Sequence, residues 1–173
     1  MSNLMSHPII DTVLAHHREQ LGASFATYRN HCLRGLNYHA SLLKTVPSDA
    51  SALAWAVHDL GIWTAGTFDY LEPSAALVTG YAAEFGIADI TLTQAMIMQH
   101  HRLNAVTEPA VDAFRRADRV DVTRGLWRGP ISRRDVNDVV AALPYLGFHR
   151  FLAAGLTRHA LTHPRRPLPM LRW

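Results

Sequence analysis

Cysteine and lysine are nearly absent from this sequence. Cys32 is its single cysteine, so no disulfide can form within the chain, and a reducing compartment such as the cytoplasm is expected. Lys44 is the single lysine, so arginine carries almost all of the positive charge behind the net charge of +3. The arginines are scattered in ones and twos, without a long basic run. This pattern favours a small anionic ligand over a nucleic acid polymer.

Long apolar runs are also missing. No apolar stretch reaches the roughly 18 residues that a membrane-spanning helix needs. The first eight residues lack the basic region and the apolar core of a signal peptide. We therefore expect a protein that does not enter a membrane and that stays in the cytoplasm.

Helical periodicity, in contrast, is present throughout, and no stretch alternates apolar and polar residues for long. A length of 173 residues with 49% hydrophobic content suits one domain with a substantial core. We predict an all-α, single-domain bundle over residues 1–162 and a Pro-rich extended tail over residues 163–173. The apolar Met170, Leu171 and Trp173 predict that the tail packs on its own chain or on a second subunit, which would give a homo-oligomer.

The most informative stretch is an apolar helix that ends in His58 and Asp59. Residues 52–57 read Ala-Leu-Ala-Trp-Ala-Val, which predicts a helix buried on every side. An ionised Asp at such a place costs roughly several kcal/mol unless a cation or hydrogen-bond donors meet it. Gly61 ends the helix, so both side chains can turn toward one point. We interpret that point as a metal site, although a hydrogen-bonded core pair would explain the dipeptide equally well.

Other predicted helices direct similar side chains inward. His31 lies at the edge of the apolar stripe of the second helix, and Asp118 interrupts the apolar face of the sixth. Thr91 with Gln94 indicates a capping box for the fifth helix. Two imidazoles and two carboxylates suit one divalent transition metal, namely Mn, Fe, Co, Ni or Zn. A buried hydrogen-bonded cluster without metal is the structural alternative.

The order of these residues resembles that of the HD-domain superfamily of metal-dependent phosphohydrolases. The resemblance covers about residues 26–125. It is carried by His31-Cys-Leu-Arg34, Ala-Val-His58-Asp59-Leu-Gly61, Ile97-Met-Gln-His100-His101 and Arg-Arg-Ala117-Asp118-Arg-Val-Asp121. It implies an HD-type helical bundle in which His31, His58, Asp59 and Asp118 hold the metal. It also implies hydrolysis of a small phosphate ester, such as a nucleotide, by a metal-activated water.

This sequence departs from the family pattern in two respects. Family members with two metals carry further histidines before the later His helix, whereas residues 61–99 contain none. A mononuclear site is therefore favoured, which counts against the oxygenase branch with its pair of irons. No Lys or Glu follows Asp59 closely, as it does in several hydrolytic subfamilies. We therefore expect Asp69, His100 or His101 to transfer the proton.

Three arginines are candidates for binding a phosphate group, because a guanidinium matches phosphate with a fork of N–H donors. They are Arg34, Arg102 and Arg119. Arg34 is the strongest candidate, since it lies one helical turn from His31.

Two other functions stay open. HD proteins that resemble cyanamide hydratase also follow His-Asp with Leu-Gly and a Thr, and they add water to a small nitrile-like substrate. Such an enzyme needs less positive charge at its pocket than a phosphohydrolase does. A non-catalytic HD module that binds a nucleotide or a partner protein is the third hypothesis.

Overall fold

The computed structural model describes residues 4–170 as a bundle of α-helices, without any strand in that range. The α-helices are α1 (Pro8–His16), α2 (Arg18–Leu21), α3 (Phe25–Leu43), α4 (Asp49–Val57), α5 (Gly61–Thr64), α6 (Leu71–Phe85), α7 (Ile90–Gln99), α8 (Pro109–Val122), α9 (Arg133–Ala142) and α10 (Phe148–Thr162). The prediction of an all-α fold is confirmed. None of the helices in the described range is long and apolar enough to cross a membrane.

Helix α3 forms the centre of the bundle and packs against α8, α4 and α1. It approaches α4 closely at Gly35, where a Cβ atom would overlap the ring of Trp55. Every residue of α4 from Ala50 to Val57 is buried, as the apolar sequence of that helix predicts. The end of α4 therefore lies in the middle of the molecule, and polar groups placed there are shielded from water.

Several helix ends differ from those predicted. The sequence predicts one helix over about residues 9–21. It is broken at His17, which separates α1 from α2. The predicted capping box of α7 is wrong, because Asp89 accepts the N–H of Leu92 at 2.9 Å and Thr91 lies inside the first turn. Asp89 directly precedes the helix, so its carboxylate can accept a free backbone N–H of the first turn. For α9 the sequence predicts a capping box from Ser132 to Asp135. Ser132 does cap this helix, since its hydroxyl accepts the N–H of Asp135 at 3.0 Å.

The chain after α10 crosses the surface of the bundle as a strap, defined here as residues 163–170. The strap forms turns and no helix, as its prolines predict. Met170 is buried in a cluster with Ile62, Tyr70 and Leu71. The prediction that the tail packs on its own chain holds for this residue, while Leu171 and Trp173 lie outside the described residues.

Candidate metal centre

The side chains of His31, His58, Asp59 and Asp118 meet at one buried point. His31 comes from the middle of α3, His58 caps the C-terminus of α4, and Asp118 lies on the inner face of α8. The Nε2 atom of His31 lies 3.0 Å from Nε2 of His58, 3.5 Å from Oδ1 of Asp118 and 3.7 Å from Oδ2 of Asp59. The structure thus brings together the four residues that the sequence predicted as metal ligands.

His100 joins this cluster from the C-terminus of α7. Its Nε2 atom lies 3.5 Å from Oδ1 of Asp59. Sequence reasoning treated His100 as a candidate for proton transfer, but its position matches that of a ligand. Three overlapping groups have donor atoms close enough to hold an ion: His31 with His58 and Asp118, His58 with Asp59 and His100, and His100 with His101 and Asp118.

The three clustered imidazoles are all held in the same tautomer by hydrogen bonds on their outer nitrogens. Nδ1 of His58 donates to the carbonyl of Trp55 at 3.0 Å, and Nδ1 of His100 donates to the carbonyl of Ile97 at 2.7 Å. Nδ1 of His31 donates to a carboxylate oxygen of Asp121 at 2.7 Å. With Nδ1 as the donor, each ring directs Nε2 into the cluster, which is how histidines are held for metal binding.

This arrangement fits a cation. Two imidazole lone pairs that face each other at 3.0 Å repel unless a positive charge lies between them. Asp59 Oδ1 and His100 Nε2 are buried and have no hydrogen-bond partner. Burial lowers the pKa of His58 to about 3, so this ring offers an unprotonated Nε2 at neutral pH. At His100 burial is outweighed by the carboxylates of Asp59 and Asp118, which raise its pKa and so favour a positive charge beside them. The buried His/Asp cluster can therefore hold a metal ion, and a divalent ion suits this mixed set of nitrogen and oxygen donors.

The two carboxylates of the cluster differ in their preference for a proton. Burial alone would raise the pKa of Asp59, but the neighbouring His58 and His100 outweigh it and hold that pKa well below its usual range. Burial raises the pKa of Asp118, against the pull of His100 and His31. Asp59 is therefore the carboxylate that carries negative charge into the cluster even without a metal.

Arg34 supports the cluster from behind and does not face it. The Arg34 guanidinium is fully buried, and it donates from Nε to Oδ1 of Asp121 at 2.6 Å and from Nη2 to Oδ2 at 2.8 Å. Its Nη1 atom donates to the carbonyl oxygens of Leu143 and Pro144. The sequence predicts that Arg34 binds a phosphate group of the substrate. It is not placed to do so, because two of its N–H donors already bind the carboxylate of Asp121.

Sequence reasoning missed the role of Asp121. Asp121 is fully buried and bonds both His31 and Arg34. A signal was available, because Asp118 and Asp121 are three residues apart and so share one face of α8. Two carboxylates on one inward face need two sets of cationic or donor partners.

The remaining predicted residues lie farther out. Asp69 is partly exposed, and its carboxylate lies 3.8 Å from Nη1 of Arg166 in the strap. Arg102 is exposed and donates to the side chain of Gln99, while Arg119 donates to the carbonyl of Arg102 at 2.9 Å. The structure therefore does not bring these three side chains to the buried cluster.

A cavity of about 190 Å³ reaches the cluster at Asp59 and Asp118. Tyr70 and His101 also line it, and the Tyr70 hydroxyl lies 2.7 Å from Nε2 of His101. The other lining residues are apolar: Phe68, Val122, Leu152, Leu156, Leu168 and Met170. Among the described residues, neither arginine nor lysine lines this cavity. A larger surface groove, between the end of α3 and α9, contains none of the clustered residues.

No family model matches the chain, and neither the curated proteins nor the solved structures compared with it gave a match. The function must therefore be argued from the geometry. The protein is helical, with a buried His/Asp cluster that can hold a metal and that is compatible with an HD-like fold.

Proposed function

We propose that the protein is a metal-dependent hydrolase of the HD type that adds water to a small, uncharged substrate. The observation that carries this proposal is the cavity, which ends at two clustered carboxylates and which no described arginine or lysine lines. A dianionic phosphate bound at the metal would find no cationic side chain in the cavity to balance its remaining charge. A nitrile-like substrate needs no such partner.

His31, His58, Asp59 and Asp118 would hold the metal, with His100 beside them as a further donor. When bound, a divalent metal supplies Lewis acidity and lowers the pKa of a water molecule toward neutrality. The protein itself orients the donors, because each clustered imidazole is fixed by a bond to its Nδ1 atom. The apolar side chains of the cavity exclude bulk water from the reacting group.

His101 and Tyr70 are the residues best placed to move a proton within the cavity. Burial, aided by the neighbouring His100, keeps the pKa of His101 well below its usual value, so the ring is neutral at pH 7. Burial also raises the pKa of Tyr70, so its hydroxyl stays protonated, and it shares a hydrogen bond of 2.7 Å with Nε2 of His101. This pair gives a proton a path away from the attacking water, a role for which Asp69 lies too far out.

Hydrolysis of a small phosphate ester is the second candidate, and Arg119 is the observation in its favour. Burial and His100 lower the pKa of His101, and the positive charge of Arg119 adds to this effect. Arg119 therefore lies within electrostatic range of the cavity, although it donates to the carbonyl of Arg102. To bind a phosphate at the cavity mouth, its guanidinium would have to leave the carbonyl of Arg102.

A parallel activity screen tests the proposal. Protein loaded in turn with Mn, Fe, Co, Ni or Zn would be assayed with cyanamide and other small nitriles, and with nucleotides and sugar phosphates. We expect water addition to the nitriles, and its loss in Asp59→Ala. Phosphate ester hydrolysis that falls by about 10²-fold in Arg119→Ala would establish the second candidate instead. A metal-loaded protein inactive on both classes would indicate a non-catalytic HD module.

A further inference from the structure

The cavity above the cluster has two sides of different chemistry. Its polar groups are Asp59, Tyr70, His101 and Asp118, and all of them come from residues before α9. Among the described residues that follow α9, those that line the cavity are all apolar, namely Leu152, Leu156, Leu168 and Met170. These four residues are called the C-terminal wall. The wall touches the space that a substrate would occupy and offers it no hydrogen bond.

Helix α10 is fixed to the bundle by aromatic contacts of residues next to the wall. Phe148 stacks on the His31 ring at 4.2 Å between ring centroids, and Phe151 stacks on Trp63 at 5.1 Å. Gly155 lies against the ring of Phe68, where a Cβ atom would overlap it. Because α10 presses on a cluster histidine and on a cavity residue, its wall residues have defined positions over the cavity.

The strap closes the remaining side. Met170 is buried against Tyr70 and Leu71, so the described chain ends inside the apolar cluster next to the cavity. Arg166 pairs with Asp69 at 3.8 Å, and its carbonyl accepts from Nε2 of His159 at 3.2 Å. The Arg166 pair is exposed to solvent and adds little stability by itself. Burial of Met170 is therefore the main contact that holds this part of the wall in place.

We propose that the C-terminal wall selects the substrate by size and admits only compact molecules. A cavity of about 150 Å³ lined by apolar side chains holds a benzene molecule. The cavity of about 190 Å³ is similar in size but opens to solvent, so a larger ligand must extend past the wall to reach the cluster. The identity of the reaction rests on the proposed function, but the size limit follows from the wall and can be measured by binding alone.

Two metal-binding probes with the same head group and different bulk measure the limit. Acetohydroxamate fits the cavity, whereas the ring system of 2-naphthohydroxamate exceeds it. Full-length protein loaded with Co²⁺ would be titrated with each probe, and the visible absorption of the metal would report binding. We expect the larger probe to bind wild-type protein at least about 100-fold more weakly, as a filled pocket rejects excess bulk.

Variants of the wall should change how strongly the protein prefers acetohydroxamate over 2-naphthohydroxamate, which is measured as the ratio of the two dissociation constants. Leu168→Ala and Met170→Ala enlarge the cavity, and each should bring the affinities of the two probes closer by about 10-fold. Leu168→Trp fills the cavity and should weaken acetohydroxamate binding by a similar factor. Leu161→Ala is the matched control, because Leu161 lies on α10 with 79% exposure and does not line the cavity. Thermal melting of each variant would show that it is folded.

Equal affinities of the wild-type protein for both probes would overturn the proposal. So would the same ratio in Leu168→Ala and in Leu161→Ala, or an absence of acetohydroxamate binding. Size-selective binding without water addition to any nitrile would remove the proposed reaction and leave the selecting wall intact. The two failures are therefore distinguishable.

Discussion

His31 is the residue on which the geometry of the cluster depends most, because its two ring nitrogens meet different partners. Nδ1 bonds Asp121 at 2.7 Å, and Nε2 faces His58 at 3.0 Å. Asp121 is in turn held by two donors of Arg34. The Arg34–Asp121–His31 chain thus fixes both the orientation and the tautomer of a ring that can bind a metal.

Asp121→Asn should weaken metal binding by about 10- to 100-fold, because an amide is a poorer acceptor for the His31 N–H and a poorer partner for Arg34. Competition against a chelating dye would measure the dissociation constant. Asp138→Asn is the matched control, since Asp138 forms an exposed pair with Arg134. Equal affinities in the two variants would show that Asp121 does not support the site.

His39 should make the stability of the protein depend on pH. The ring is fully buried; Nδ1 accepts from the Trp55 indole at 3.2 Å, and Nε2 donates to the carbonyl of Ala110 at 3.1 Å. Burial lowers the pKa of His39 from 6.5 to about 4. As the pH falls, His39 therefore takes up a proton in the unfolded chain before it does so in the folded protein. The contribution of neutral His39 to the free energy of unfolding is complete above pH 6.5 and is lost as the pH falls toward 4.

Lowering the pH from 7 to 5 should therefore reduce the free energy of unfolding by about 2 kcal/mol through His39 alone. Denaturant unfolding at both pH values would measure the loss. His39→Gln keeps an acceptor for Trp55 and should lose less stability over this interval by that amount. His16→Gln, at an exposed position, should behave as the wild type does. An unchanged pH dependence in His39→Gln would contradict the assignment.

At the scale of elements, the close approach of α3 and α4 places His31 beside His58. Gly35 permits this approach, because a Cβ atom there would overlap the Trp55 ring. Trp55 is fully buried and stacks on Phe114 of α8 at 4.1 Å, so its ring has little room to move. The spacing of the two helices that carry the cluster histidines is thus set by one glycine and one indole.

Gly35→Ala should destabilise the protein by about 1–3 kcal/mol or more, since an added methyl group forces the two helices apart. Gly80→Ala is the matched control within α6, where a Cβ atom has no neighbour within 4 Å. This control should be neutral or more stable by up to about 1 kcal/mol, because alanine favours a helix. Thermal or denaturant unfolding measures both changes, and a stable Gly35→Ala variant would exclude close packing at this site.

Five potential metal ligands surround one buried point where α3, α4, α7 and α8 meet. A metal that binds this folded arrangement and not the unfolded chain must stabilise the fold. At a free metal concentration 100 times the dissociation constant, the gain is about 2.7 kcal/mol. Stability and metal content are therefore coupled.

We expect elemental analysis of the purified protein to find about one transition metal per chain. Removal of the metal by a chelator should lower the melting temperature, and addition of the metal should restore it. Asp59→Ala should lose the metal, because that variant lacks the carboxylate that stays ionised within the cluster. A reproducible content near two, with His100 and His101 as additional ligands, would contradict the mononuclear prediction.

The sequence by itself determined the helical character of the chain and the four central donors. Helical periodicity is local, and His58-Asp59 at the end of an apolar helix must lie inside the molecule wherever that helix packs. Most of the helices could be predicted for this reason. The cap of α7 could not, because Asp89 and Thr91 both offer oxygen acceptors and the backbone decides between them.

Only the tertiary structure decided the partners of those donors. Asp121 lies 90 positions from His31 and 87 from Arg34, so no local pattern reveals that it engages the arginine that would otherwise be free to bind phosphate. The position of His100 among the ligands likewise depends on how α7 packs against α4. The apolar wall of the cavity comes from α10 and the strap, whose sequences resemble those of ordinary surface-covering segments. Such long-range placements arise from the packing of whole helices, which residue spacing within one helix does not encode.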